Sequence, residues 1–180
     1  MTAHPETSRN RDLAFDPIHE ARSNWVRQGW EDVADSMAAV TSVVRVQQIL
    51  INQANETLKP FALTFARFEL LALLSFSHEQ RMLMSKASAR LQVHPTSVTH
   101  TADRLEKDGL VERRPVEADR RAVLLVLTDQ GHRLAREAAE ALNRDYFSGF
   151  GLSAEEAREL FQILRKLRIG AGDFADTAPA

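Results

Sequence analysis

The stretch HPTSVTHTADRLEKDG, His94 to Gly109, decides how the middle of this chain is read. Val98, Ala102 and Leu105 recur at helical spacing, Pro95 suits a first helical position, and Gly109 marks the stop. Yet the opening turns hold Thr96, Ser97, Thr99 and Thr101, mediocre helix formers whose side chains compete with the backbone. If the apolar positions turn inward, Thr96, Ser97, Thr99, His100 and Arg104 are left on the outer side. Short hydroxyls let a helix lie deep in a major groove and exchange hydrogen bonds with base edges. Free N–H groups at a helix start attract phosphate. Poor helix formers are acceptable where the helix end has to read a groove.

Upstream, KASARLQ is a short helix with Ser85 in the capping position. Ala87, Leu91 and Val93 give it the spacing to cross the quoted helix through a tight turn. Downstream the period changes. Leu110 to Val116 and Arg121 to Leu127 are β-rich runs joined by Glu117-Ala118-Asp119, which predicts a hairpin. Arg113, Arg114, Arg120 and Arg121 flank its tip, and an arginine on a projecting hairpin fits a narrow minor groove, where the potential is most negative. A short exposed hairpin is also charged simply to blunt its edges.

Long helices flank this unit. Asp16-Pro17 predicts a helix to about Gln28, and a longer one runs from about Trp30 to Leu58, where Pro60 bars continuation. Thr64 opens a helix bearing Phe65, Phe68, Leu71, Ala72 and Phe76. Thr128 and Ser153 cap the last two, and GAGDFADTAPA should be loose. The expected fold is mainly α with a small β-hairpin wing, a winged helix-turn-helix domain between dimerisation helices. The expected division is a disordered N-terminus at 1–15, N-terminal helices at 16–60, the winged domain at 61–128, C-terminal helices at 129–169 and a flexible tail at 170–180.

The bulk numbers bound the function. Formal net charge is −2 over 180 residues, but residues 81–121 carry nine Lys/Arg against six Asp/Glu, a basic segment on an acidic body. The absence of cysteine removes disulfides, thiolate metal sites and thiol-based redox sensing. The histidines are scattered without helical pairing, so no metal site and no cofactor is expected. The longest nearly apolar run, Leu70 to Phe76, is too short to span a bilayer, and the start lacks an apolar signal core, which points to a cytoplasmic protein. There is no phosphate loop or nucleophile elbow, and an enzyme is not expected.

LTFARFELLALL, then ASARLQVHPTSVTHTADRLEKDGLVERRP, then EADRRAVLLVLTDQG together resemble the MarR family of winged helix-turn-helix transcriptional regulators, over about Asp32 to Leu167. The most specific parts are the DRLEKDGLVER junction and the wing pattern Asp-Arg-Arg, apolar strand, Leu-Thr-Asp-x-Gly. The resemblance implies a homodimeric, DNA-binding regulator, commonly a repressor. Pro95 to Arg104 would correspond to the recognition helix, Arg121 to the wing arginine in the minor groove, and Asp119 to the residue shaping the wing loop. Ser85 and Lys86 would sit where the preceding helix touches the DNA backbone.

Dimerisation also follows from the apolar stripes of the outer helices, which are wide enough to need a partner. A two-fold pair places two recognition helices about 34 Å apart and predicts a pseudo-palindromic operator. The added segment DPIHEARSNWVRQGW resembles the family branch that responds to urate or other organic acids. That resemblance implies a ligand cleft lined by Trp25 and Glu69, the latter one methylene longer than that branch's aspartate. The expected effector is a small anionic or aromatic molecule. The rival to a DNA reader is a winged-helix protein–protein adaptor, whose signature would be a wing and helix without exposed cations and hydroxyls.

Overall fold

The structure, a computed structural model, describes residues 13–117 and 119–175. Residues 1–12, expected to be disordered, residues 176–180 of the expected tail, and Ala118 lie outside the described residues. The chain divides into two compact units after Glu56.

In the first unit, α1 (Pro17–Arg27) begins as its sequence predicts: the Asp16 carboxylate accepts from the Ile18 N–H at 2.9 Å, and Pro17 needs no partner. Trp25 meets Trp30 edge to face, ring centres 5.5 Å apart and planes at 65°. Arg22 pairs with Asp35 near the start of α2 (Glu31–Leu58). That helix leaves Val33, Val40, Val43, Val44, Val46 and Ile49 exposed.

The second unit carries the fold's core. A 3₁₀ turn at Lys59–Phe61 follows α2, because Pro60 cannot donate to the α-helical ladder. Thr64 then caps α3 (Phe65–Ser75). The chain continues through β1 (Arg81–Leu83), α4 (Met84–Leu91), α5 (Pro95–Lys107), β2 (Val111–Val116), β3 (Asp119–Leu127), α6 (Asp129–Leu142), a π turn at Asn143–Phe147 and α7 (Ala154–Gly170). Helix α3 is central, packing on α5, α6, α4 and the sheet. Its Leu70, Leu71 and Leu74 are fully buried, as are Leu105 of α5, Leu125 of β3 and Leu142 of α6.

The sheet has the antiparallel order β1–β3–β2, one strand more than the expected hairpin. Three-residue β1 pairs Arg81 with Val126 and Leu83 with Leu124. Pro115 is tolerated because β2 is an edge strand, and the register slips between Pro115 and Val116. Strand β1 also changes how α4 begins. The residue before it is Leu83, which forms no side-chain cap, and Ser85 lies inside the helix. The expectation of Ser85 as a cap is therefore corrected: the chain turns directly from strand into helix, which starts two residues before a cap at Ser85 would place it.

The tightest joint lies where α5 ends and α6 begins. Gly109 adopts φ 71°, and the Gly109 and Leu110 N–H groups donate to the Glu106 and Leu105 carbonyls, each at 2.9 Å. This closes the helix in a left-handed turn that a side chain would strain. The Thr128 hydroxyl caps α6 by accepting from the Gly131 N–H at 3.0 Å. It also reaches the Gly109 and Leu110 carbonyls at 2.9 and 3.1 Å. Gly131 sits so close that a Cβ there would lie 2.0 Å from the Leu110 carbonyl oxygen and 2.9 Å from Leu127 Cδ1.

Helix α7 is different. Ser153 and Glu156 form a reciprocal capping box at its start, yet it buries no residue, and Phe161, Ile163 and Leu167 are more than half exposed. Among the described residues no helix is long and apolar enough to cross a membrane. Gly131→Ala should cost at least about 3 kcal/mol in a urea titration, since backbone rather than a flexible side chain blocks the added methyl. A loss within about 0.5 kcal/mol, the range of neutral surface changes, would show that the joint can open.

Candidate nucleic-acid interface

Helices α4 and α5 cross through the turn Gln92-Val93-His94. Val98, Ala102 and Leu105 of α5 are buried, as their spacing predicts. Thr96, Ser97, Thr99, His100 and Arg104 are exposed, with Pro95 at the exposed start. The helix therefore presents hydroxyls, an imidazole and a guanidinium on one side while its other side closes the core.

Its N-terminus is less open than the sequence suggests. His94 is the cap: its Nδ1 accepts from the Thr96 N–H at 3.3 Å. The Ser97 and Val98 N–H groups both aim at the His94 carbonyl, at 2.9 and 3.4 Å, and Pro95 has none to offer. The expectation of free N–H groups waiting for phosphate is corrected, and one of the two imidazoles is explained as a cap. The Thr99 hydroxyl donates to the Pro95 carbonyl at 3.0 Å and lies 3.5 Å from the Met84 sulfur. What it offers outward is its acceptor lone pair.

The arginines beside the wing tip separate into distinct roles. Arg113 turns inward from β2 onto α5. Its terminal nitrogen lies 2.6 Å from Asp103 Oδ1 and donates to the Thr99 carbonyl at 2.8 Å, while its backbone N–H donates to Glu106 at 3.1 Å. Only 24% of its side chain is exposed, so the structure gives it the geometry of a brace between wing and helix rather than of an outward cation. Arg114 is exposed and pairs with Glu112 at 2.7 Å on its own strand. Asp119 is exposed and stands opposite Val116 in the register. Arg120 and Arg121 follow it on β3, and their side chains lie outside the described residues.

Ser85 and Lys86 are exposed on the first turn of α4. Ser85 borders a cleft of about 250 Å³ with Pro95 and Val123, where α4, the start of α5 and β3 converge. Arg90 was missed by the sequence reading. It stands one turn beyond Lys86 and shares with it the rim of a second cleft, about 550 Å³, which also receives Arg81. The i, i+4 spacing from Lys86 was the available signal.

The expected effector residues belong to different units. Trp25 belongs to the first unit, where it is half-buried against Trp30. Glu69 belongs to the second, where partial burial holds its carboxyl above the ordinary range although the residue keeps an exposed face. A cavity of about 390 Å³ opens between α3 and α6, lined by Ala72, Ser75, Phe76, His132 and Arg136 among others. His132 Nδ1 lies 3.3 Å from the Ser75 hydroxyl and 3.4 Å from Gln80 Nε2. Sequence alone had no signal for it, because its walls come from helices more than fifty residues apart.

Known proteins bear on this geometry. A family model described as the MarR family matches residues 63–123. The chain is 33% identical over 158 residues to the transcriptional repressor MprA of Escherichia coli (strain K12), covering 87% of this chain and 89% of that protein. The crystal structure of Sco5413, a MarR family transcriptional regulator from Streptomyces coelicolor, is similar with a TM-score of 0.72 and 46% identity, over 79% of this chain and 99% of that one. A mutant of MarR from E. coli complexed with operator DNA is similar at a TM-score of 0.67 and 26% identity, over 75% of this chain and 96% of that one.

The brace and the exposed cations should separate experimentally. Arg113→Ala removes the bond to the Thr99 carbonyl and unpairs Asp103 while leaving the backbone bond to Glu106, and should destabilise the protein by about 1.5–3 kcal/mol in a denaturant titration. Arg114→Ala, removing an exposed pair, should change stability by less than about 1 kcal/mol. Equal effects would mean that Arg113 does not hold the wing to α5.

Proposed function

The chain belongs to the MarR family of transcriptional regulators, and on that premise we propose that it is a homodimeric repressor that reads a pseudo-palindromic operator. The observation that carries the reading is the exposed polar side of α5, held against the wing by Arg113. Thr96, Ser97, Thr99, His100 and Arg104 face base edges in the major groove, with Pro95 letting the helix start close to the duplex. Ser85, Lys86 and Arg90 on α4 meet phosphates, where a cation contributes affinity without sequence preference. Arg120 and Arg121 bring the wing to the adjacent minor groove, Asp119 shapes its tip, and Arg114 follows on the outer strand. Arg113 acts from within.

Two copies supply the symmetry. The exposed valines of α2 and the exposed Phe161, Ile163 and Leu167 of α7 are the faces a second copy covers. A small anionic or aromatic effector then releases the DNA. Arg136, which pairs with Glu140 on the same wall at 3.3 Å, gives the cavity between α3 and α6 a cation, His132 and Ser75 give it hydrogen-bonding groups for a carboxylate, and Phe76 and the alanines give it apolar wall. Glu69 in the same unit is a further proposed contact, on its chemistry alone. The protein works in the cytoplasm as a binding protein rather than an enzyme.

Fluorescence anisotropy tests this, with a duplex from the intergenic DNA beside its own gene and a scrambled control across a salt series. Cognate binding should exceed the control by about 10³-fold or more at physiological salt. Thr99→Ala and His100→Ala should each erode that preference by about 1–3 kcal/mol. Lys86→Ala should weaken both duplexes alike and lower the salt slope by about 1. Millimolar aromatic carboxylate should dissociate the cognate complex. Equal binding to both duplexes, or no response to any such acid, overturns the operator or the effector reading respectively.

Sedimentation should report a dimer at micromolar concentration. A stable monomer there would remove the two-fold operator with it.

A further inference from the structure

The turn that leads into α5 is held from two sides. On one side the buried Ser88 hydroxyl of α4 donates to the Val93 carbonyl at 2.7 Å. On the other side stands Gln92, which adopts φ 55°. A left-handed position suits Gly or Asn. The backbone uses it to close α4, the Gln92 and Val93 N–H groups donating to the Ser88 carbonyl, and the glutamine side chain is held as well. The Gln92 amide nitrogen donates to the Asp173 carboxylate at 2.8 Å and to the Asp173 carbonyl at 3.1 Å. Its amide oxygen accepts from the Arg168 guanidinium at 2.8 Å. Arg168 closes the ring by donating to the other Asp173 oxygen at 2.6 Å.

The far half of this clasp is built with similar specificity. Gly172, at φ 73°, ends α7 in a left-handed turn, and the Asp173 N–H donates back to the Arg168 carbonyl at 3.0 Å. The chain thereby doubles back, and Phe174 comes to lie under both Arg168 and Arg165, 5.1 and 5.5 Å from their guanidinium carbons. Asp173 and Phe174 were expected to belong to a loose tail. Asp173 is instead tied to Gln92, 81 positions earlier in the chain, and Phe174 lies against Arg165 and Arg168.

We propose that Gln92, Arg168 and Asp173 are positioning residues for DNA recognition: the end of α7 holds the turn before α5 and so sets the angle at which α5 meets the groove. None of them touches DNA in this assignment. Helix α7 has no buried residue of its own, so its placement comes from what covers its apolar side. With a second copy there, which is the homodimer reading above and on which this inference rests, the clasp carries the spacing of the two subunits into the orientation of each recognition helix.

The test varies the distance between operator half-sites by one base pair in each direction. The full-length dimer should discriminate against the altered spacings by roughly tenfold, a coupling of ordinary size. Gln92→Gly removes the amide while relieving the left-handed strain, so the fold survives. Arg168→Met and Asp173→Ala break the clasp from the far side, where an exposed ion pair supports little of the global stability. All three should flatten the spacing preference to about threefold or less with the salt slope unchanged. Asp173→Asn, which keeps an acceptor for Gln92, should retain most of the discrimination. Full discrimination in all three variants overturns the proposal. So does a reduced salt slope in Arg168→Met, which would make Arg168 a direct phosphate contact.

Should the unaltered protein bind no duplex, the repressor reading fails by itself, and amide hydrogen exchange of the free protein then decides the clasp. Faster exchange at Val93, Ser97 and Val98 in Gln92→Gly and Arg168→Met supports it, and unchanged exchange ends it.

Discussion

The reading unit depends on one steric condition: backbone must meet backbone where α6 starts against the turn that ends α5. Gly131 permits that approach, and Thr128 uses a single hydroxyl to cap α6 and bind the carbonyls of Gly109 and Leu110. Because β3 runs directly into Thr128, and β2 starts directly after Leu110, both wing strands leave from this joint. The wing's direction relative to α5 is therefore set at its base, by contacts too short to tolerate a methyl group. Arg113 then fixes the same relation further out, from β2 to the carbonyl of Thr99 and the carboxylate of Asp103. Two fixed points along a hairpin define an angle, and one would leave it free to swing.

Local charge is a poor measure of what the unit offers outward. Of the nine cations between Arg81 and Arg121, Arg113 is taken into the brace, and Arg114 and Arg81 pair with Glu112 and Glu79. The acids of this stretch are as structural as the bases. Asp103 and Glu106 hold Arg113, and Asp108 holds Arg67, tying the end of α5 to α3. The segment is electrostatically organised first for its own geometry, and the cations that remain outward stand on that framework.

The sequence was most legible where a local rule sufficed. Asp16, Thr64, Thr128 and Ser153 each cap the helix that follows, since capping needs only a short acceptor and the next few N–H groups. The buried stripe of α5 was legible for the same reason, as periodicity is local. What was hidden depends on partners distant in the chain. Strand β1 is three residues long and exists because β3 lies beside it. Its presence displaced the expected cap at Ser85. The inward turn of Arg113 depends on an acid ten residues away across a helix end, and the capture of Asp173 on a glutamine in another helix pair. Of the nucleic-acid interface, the identity of the outward residues on α5 was legible, but the use of His94 as a cap was not, because histidine is seldom chosen for that position.

Helix α7 has a consequence for the cell rather than for the fold. A helix that buries none of its own residues gains its tertiary free energy from outside itself, and if two copies of this chain supply it, that gain obeys mass action. The assembled fraction then rises more steeply than the amount of protein made. Dilution by growth would weaken occupancy of an operator twice over, through fewer molecules and through a smaller paired share of those that remain. The length of time for which a regulated gene keeps its state after synthesis stops would thus be written partly into the bare side of one helix.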